Sequence, residues 1–116
     1  MTRLRSDLVV AAILRRASLA HASAVLRRRG AGEAGAIFIS VDQLDGRISL
    51  YAPAPPAMTD EPDQESSARV FECVLKDSDA PTIAARMKRE EQFDSDLWFV
   101  EIETRGDQSL LDEVVY

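Results

Sequence analysis

Ala36-Ile37-Phe38-Ile39-Ser40-Val41-Asp42-Gln43-Leu44-Asp45-Gly46-Arg47-Ile48-Ser49-Leu50-Tyr51-Ala52 is the stretch whose reading decides the fold. Two runs rich in β-branched and aromatic residues, 36–41 and 47–52, flank Asp45-Gly46, a dipeptide that accepts the positive φ angles a tight hairpin demands. The expectation is an antiparallel pair. Side chains alternate across a strand, so Ile37, Ile39 and Val41 share one face while Ala36, Phe38 and Ser40 share the other. In the second run Ile48 and Leu50 oppose Arg47, Ser49 and Tyr51.

Upstream of the hairpin, Val9, Val10, Ile13, Leu14, Ala17 and Ala20 recur at helical spacing over 7–20, with Ser6 or Asp7 available as a cap. Arg3 and Arg5 precede this short apolar run, which reads as a helix rather than as a leader. His21 falls at its exit, where a left-handed residue commonly ends a helix, and a capping role is the plain reading. Residues 22–29 carry Val25 and Leu26 and run into Gly30-Ala31-Gly32, a strand followed by a turn.

Downstream, 53–68 is punctuated by Pro53, Pro55, Pro56 and Pro62 and then by Asp, Glu, Gln and Ser, which predicts a mobile surface loop. Arg69–Leu75 reads as a strand. Asp79, Pro81 and Thr82 announce a second helix striped by Ile83, Ala84 and Met87 and ending near Asp94. The last strand, 97–104, sets Trp98, Val100 and Ile102 against Leu97, Phe99, Glu101 and Glu103, with Gly106 ending it. The order is α-β-β-β-β-α-β: an α+β fold with a mainly antiparallel sheet of about five strands and two helices. Helices covering one face fit this order, and so does one helix on each face.

The 116 residues suit a single domain, 1–116, and 46% hydrophobic with 29% charged residues is ordinary globular usage. One cysteine, Cys73, excludes an internal disulfide and fits a cytoplasmic location. No run approaches the roughly 20 apolar residues of a membrane span. The net charge of −6 is unevenly spread, with eight Arg against four acids in 1–50 and six basic against sixteen acidic residues in 51–116. Charge complementarity within one domain accounts for that, and nucleic acid is disfavoured as a partner.

The segments Leu14-Arg15-Arg16-Ala17, Arg28-Arg29-Gly30, Ala34-Gly35-Ala36-Ile37-Phe38, Leu44-Asp45-Gly46-Arg47, Leu50-Tyr51-Ala52-Pro53 and Phe93-Asp94-Ser95-Asp96-Leu97-Trp98-Phe99-Val100-Glu101-Ile102-Glu103 carry a resemblance to a family. Over nearly the whole chain it resembles the domain-of-unknown-function family number 1491, small and mostly alphaproteobacterial proteins with no established activity. The resemblance implies a self-contained domain and transfers no catalytic or binding residue. His21 departs from the family pattern, which favours Gly there, and this weakens any shared role for it.

No nucleophile dyad is evident, because the single histidine sits at a helix exit and Cys73 lies among apolar strand residues. One His and one Cys cannot furnish a zinc site, and no metal, cofactor or catalytic residue is assigned. Gly30-Ala31-Gly32-Glu33-Ala34-Gly35 precedes a strand, so it matches no nucleotide-binding fingerprint. Two constellations remain. Phe38, Tyr51, Val70, Val74, Leu97 and Phe99 are too apolar for solvent, and Phe38, Tyr51 and Phe99 form the candidate interaction surface for an unknown protein partner or a second copy. Glu101 and Glu103, on one side of their strand and about 6.5–7 Å apart by strand rise, form with Arg16 and Arg28 a candidate polar site for a ligand or an acid/base reaction. The first reading, an interaction module or homodimer rather than an enzyme, is the leading expectation. The second is its alternative.

Overall fold

A computed structural model of the chain describes residues 5–54 and 71–105. Helix α1 (Ser6–Leu19), strands β1 (Ser23–Arg28), β2 (Ile37–Asp42), β3 (Ile48–Pro53) and β4 (Phe71–Ser78), helix α2 (Ala80–Phe93) and strand β5 (Trp98–Glu103) follow the expected order. The five strands make one sheet in the order β1-β5-β2-β3-β4. Three neighbouring pairs are antiparallel and one, β2 with β5, is parallel. Most of the segment expected as a loop lies outside the described residues, as do Arg69, Val70 and Gly106.

The local signals are realised with one substitution of roles. Helix α1 has Arg5 as its N-cap and no side-chain cap. Ser6 instead donates its hydroxyl to the Gly35 carbonyl at 2.6 Å and is fully buried, tying the first turn to the start of β2. The helix ends as expected: His21 takes φ 64°, its N–H reaches Ser18 O, and the Ala22 N–H reaches Ala17 O, the paired bonds of a left-handed helix stop. Helix α2 starts on Asp79, whose carboxylate accepts the Thr82 N–H at 2.9 Å. This bond holds the Asp79 carboxyl below its ordinary range.

One helix covers each face of the sheet. On the first, Val10, Ile13 and Ala17 of α1 pack over Ile37, Ile39, Tyr51, Phe71, Trp98, Val100 and Ile102. On the second, Ile83 and Met87 of α2 pack over Phe38, Leu50, Ala52, Leu97 and Phe99. The exposed apolar face expected at Phe38, Tyr51 and Phe99 is therefore absent: the three are 6%, 8% and 8% exposed. They do not share a face either. Ile39 pairs with Tyr51, so Tyr51 joins the α1 side, whereas Phe38 pairs with Phe99 beneath α2.

The turn between β1 and β2 is closed by backbone contact. A side chain at Gly30 or Gly35 would stand 2.1 Å from the Asp96 carbonyl, which only glycine avoids. Ala31 donates its N–H to Asp96 O and accepts the Trp98 indole N–H at 2.8 Å. Arg29 lies over the same indole, 5.4 Å from its centre. In β4, register shifts opposite Ile48–Tyr51 let the consecutive residues Val74 and Leu75 both lean on the α2 side.

Candidate functional site: a groove between α2 and β1

Pairing register builds the site. Across the α2 face, Arg28 of β1 lies beside Phe99 of β5, which lies beside Phe38 of β2. Two residues further along β5 and β2, Glu101 pairs with Ser40; two further again, Glu103 pairs with Asp42. Asp42 in turn pairs with Ile48. Both parallel strands thus pass from aromatic to polar along one face, Phe38-Ser40-Asp42 beside Phe99-Glu101-Glu103, toward their carboxyl ends.

Helix α2 covers only the aromatic part. It starts after Ser78, the partner of Ile48, and its last turns reach Arg28, whose guanidinium lies 4.0 Å from Glu91. The uncovered part is a groove of about 490 Å³ with Ser40, Asp42, Ile48, Phe99, Glu101 and Glu103 on its floor. Ala80, Ala84, Met87 and Lys88 form one wall, with Arg27 and Arg28 opposite. That volume falls within the usual range for small-ligand sites, and carboxyl ends of parallel strands are where open sheets place them.

Two of the three cations of the lining are engaged. Arg27 pairs with Glu101 at 3.3 Å, and Arg28 donates to the Ser95 carbonyl at 2.9 Å. The Arg28 Nε is buried without a hydrogen-bond partner among the described residues. The carboxylates are less engaged: Asp42 accepts the Leu44 N–H at 2.8 Å, and Glu103 has no ion pair among the described residues. Among those residues no group of three His, Cys, Asp or Glu side chains is gathered to hold a metal ion.

Three of the four residues of the expected polar site, Arg28, Glu101 and Glu103, line this one groove. Arg16 does not. It is exposed on α1, across the sheet from the other three. Sequence reasoning missed Ser40, Asp42, Ile48 and the α2 wall; the parallel progression Phe-x-Ser-x-Asp and Phe-x-Glu-x-Glu was the signal that pointed to two neighbouring strands. Cys73 lies elsewhere, on β4, where its Sγ donates to Leu75 O at 3.4 Å and partial burial pushes its thiol up. A raised thiol is a poor nucleophile at neutral pH. No helix among the described residues is long and apolar enough to cross a membrane.

The fold and groove define an α+β protein with a five-stranded, mostly antiparallel sheet between two helices. The chain belongs to the family described as protein of unknown function (DUF1491), whose model matches residues 4–112. It is similar to the solution structure of protein Atu0922 from A. tumefaciens, at 43% identity over 98% of this chain and 97% of that one, TM-score 0.80. It is also similar to a DUF1491 family protein from Caulobacter crescentus CB15, solved as a crystal structure (32% identity, 97% of this chain and 99% of that one, TM-score 0.75). The NMR structure of a DUF1491 family protein from the same organism aligns over 100% of this chain and 99% of that one (31% identity, TM-score 0.75). No curated protein matches.

Proposed function

We propose that this protein is a cytoplasmic small-ligand-binding domain whose site is the groove between α2 and β1, with Arg28, Glu101 and Glu103 as its polar residues. The observation that carries this reading is the incomplete cover of one sheet face. Helix α2 seals Phe38 and Phe99 but leaves Ser40, Asp42, Glu101 and Glu103 around a cavity of ligand size. A merely structural face would continue apolar under the helix or turn wholly to solvent, whereas this one is walled on two sides. A thermal-shift screen over charged and neutral metabolites tests it. Binding raises the Tm in proportion to ligand concentration over Kd. The parent is expected to respond to at least one class, and Glu101→Gln and Ala84→Trp to lose that response while remaining folded. A parent Tm flat across the panel counts against the reading.

A second reading, a protein-interaction module or homodimer, draws on another observation. β1 is the end strand of the described sheet, and Val25 on it is 48% exposed. An open strand edge is a template for pairing with another chain. Light scattering at rising concentration tests self-association, and Val25→Lys is the variant expected to abolish it.

A further inference from the structure

Resting on the groove reading, we infer that the ligand is an organic carboxylic acid, its ionised carboxylate taken by Arg28 and Lys88 and its hydrocarbon part laid on Phe99, Met87 and Ala84. The unmet hydrogen-bonding need in the groove is that of a donor. Arg28 Nε is the one buried side-chain nitrogen or oxygen without a hydrogen-bond partner among the described residues. The Ser95 carbonyl accepts from the same guanidinium at 2.9 Å, while Glu91, at 4.0 Å, stands beyond hydrogen-bond reach. A guanidinium offers five N–H donors, so most of those on Arg28 are unspent. A buried donor left unpaired is a cost that an acceptor relieves, and a carboxylate meets the guanidinium fork with two parallel bonds. Arg27, by contrast, is already paired with Glu101 at 3.3 Å.

A second cation belongs to the same lining. Lys88 stands one helical turn before Glu91, the α2 residue that faces Arg28, and makes no ion pair among the described residues. The acids of the groove do not cancel these two charges. Glu101 is held by Arg27. Asp42 and Glu103 lie four residues along their strands from Phe38 and Phe99, about 13 Å by strand rise, and Arg28 pairs beside Phe99. That separation exceeds the screening length of about 10 Å in 0.1 M salt. Glu91 is the acid that competes for Arg28. Together with the carbonyl end of α2 it favours a singly charged carboxylate over a doubly charged phosphate. Phe99 beside Arg28, with Met87 and Ala84 on the helix, supplies the apolar surface for the rest of the acid.

The test is a titration of the full chain, followed by ¹H–¹⁵N shifts, with hexanoate, hexyl phosphate, hexanol and hexylamine at millimolar concentration in about 0.1 M salt. Hexanoate is expected to shift the Arg28 Nε–H signal and the amides of Met87, Lys88, Phe99 and Glu101, and to bind more tightly than the other three. Its Kd rises about tenfold in Arg28→Gln and about threefold in Lys88→Gln. Glu91→Gln, which removes the competing acid, lowers it. Lys88 and Glu91 lie outside the core, so their variants carry the test if Arg28→Gln fails to fold. If hexanol, hexylamine or hexyl phosphate shifts the groove as strongly as hexanoate, the carboxylate assignment is overturned while the groove reading stands. The same holds if Glu91→Gln weakens hexanoate or leaves it unchanged. If none of the four probes shifts the groove signals, both fall.

Discussion

The two faces of the sheet are built from alternate residues of the same strands, yet they end differently. On the α1 face β5 contributes Trp98, Val100 and Ile102, at most 2% exposed, and β2 contributes Ile37 and Ile39, fully buried. The whole strand length is apolar, and α1 closes it. On the α2 face the same strands contribute Leu97 and Phe99, then Glu101 and Glu103, and Phe38, then Ser40 and Asp42. One face is apolar core throughout, while the other ends in three carboxylates and a hydroxyl beside a helix. Apolar burial is the main favourable contribution to folding, so the uneven distribution supports the proposal that the α2 face carries the site.

Substitutions on the two faces sharpen this contrast. The largest effect belongs to the covered part of the α2 face. Phe99→Asp would bury an unpaired carboxylate under Ile83 and Met87, and it is expected to unfold the chain rather than merely dissociate an assembly. Circular dichroism reads this directly, and a folded Phe99→Asp protein would contradict the packing of α2. Next comes Trp98→Ala on the α1 face, with a loss of about 3–5 kcal/mol in urea unfolding. It removes a buried indole together with its bond to Ala31 O.

A smaller change is expected at the start of α2, where Asp79→Ala removes the Thr82 cap and lowers the Tm by a few degrees at neutral pH. Because the folded Asp79 carboxyl titrates below its ordinary value, its contribution is complete above that value. It is lost as the pH falls through the folded pKa, so parent and variant curves converge in acid. The smallest effect is at the open end of the groove: Glu103→Gln is expected to change stability by no more than about 0.5 kcal/mol. It removes a carboxylate repelled by Asp42 and leaves no buried partner stranded. A stability loss comparable to that of Trp98→Ala would mean that Glu103 belongs to the core framework and not to a site.

Short-range signals carried much of the fold. Asp45-Gly46 marks the hairpin, with Gly46 at φ 94°; Asp79-Ala80-Pro81 opens α2 where its caps require; His21 supplies the left-handed stop of α1. Alternation also sorted the faces correctly in β2, β3 and β5, including Trp98 against Phe99, but in β4 the register shifts broke it, leaving Phe71 on the α1 side and Val74 and Leu75 together on the α2 side. What alternation cannot do is match one strand's faces to another's. That depends on register set by long-range pairing, and the Ile39–Tyr51 pairing moved Tyr51 to the α1 side. The placement of one helix on each face likewise follows from the β2–β5 parallel pair, which no local motif announces. Of the polar site, the β1 and β5 members were readable from charge and strand alternation. Arg16 was not separable from them, because nothing in a sequence says which side of the sheet α1 occupies.

The most direct test of the central claim is an amide-shift titration of the parent and Ala84→Trp with the small-molecule fraction of cells that naturally make the protein. The account predicts shifts confined to Ser40, Asp42, Ile48, Phe99, Glu101, Glu103 and the facing side of α2 in the parent, and none in Ala84→Trp, whose indole fills the groove. Shifts that fall on α1 or the β1 edge, or that persist unchanged in Ala84→Trp, would contradict it.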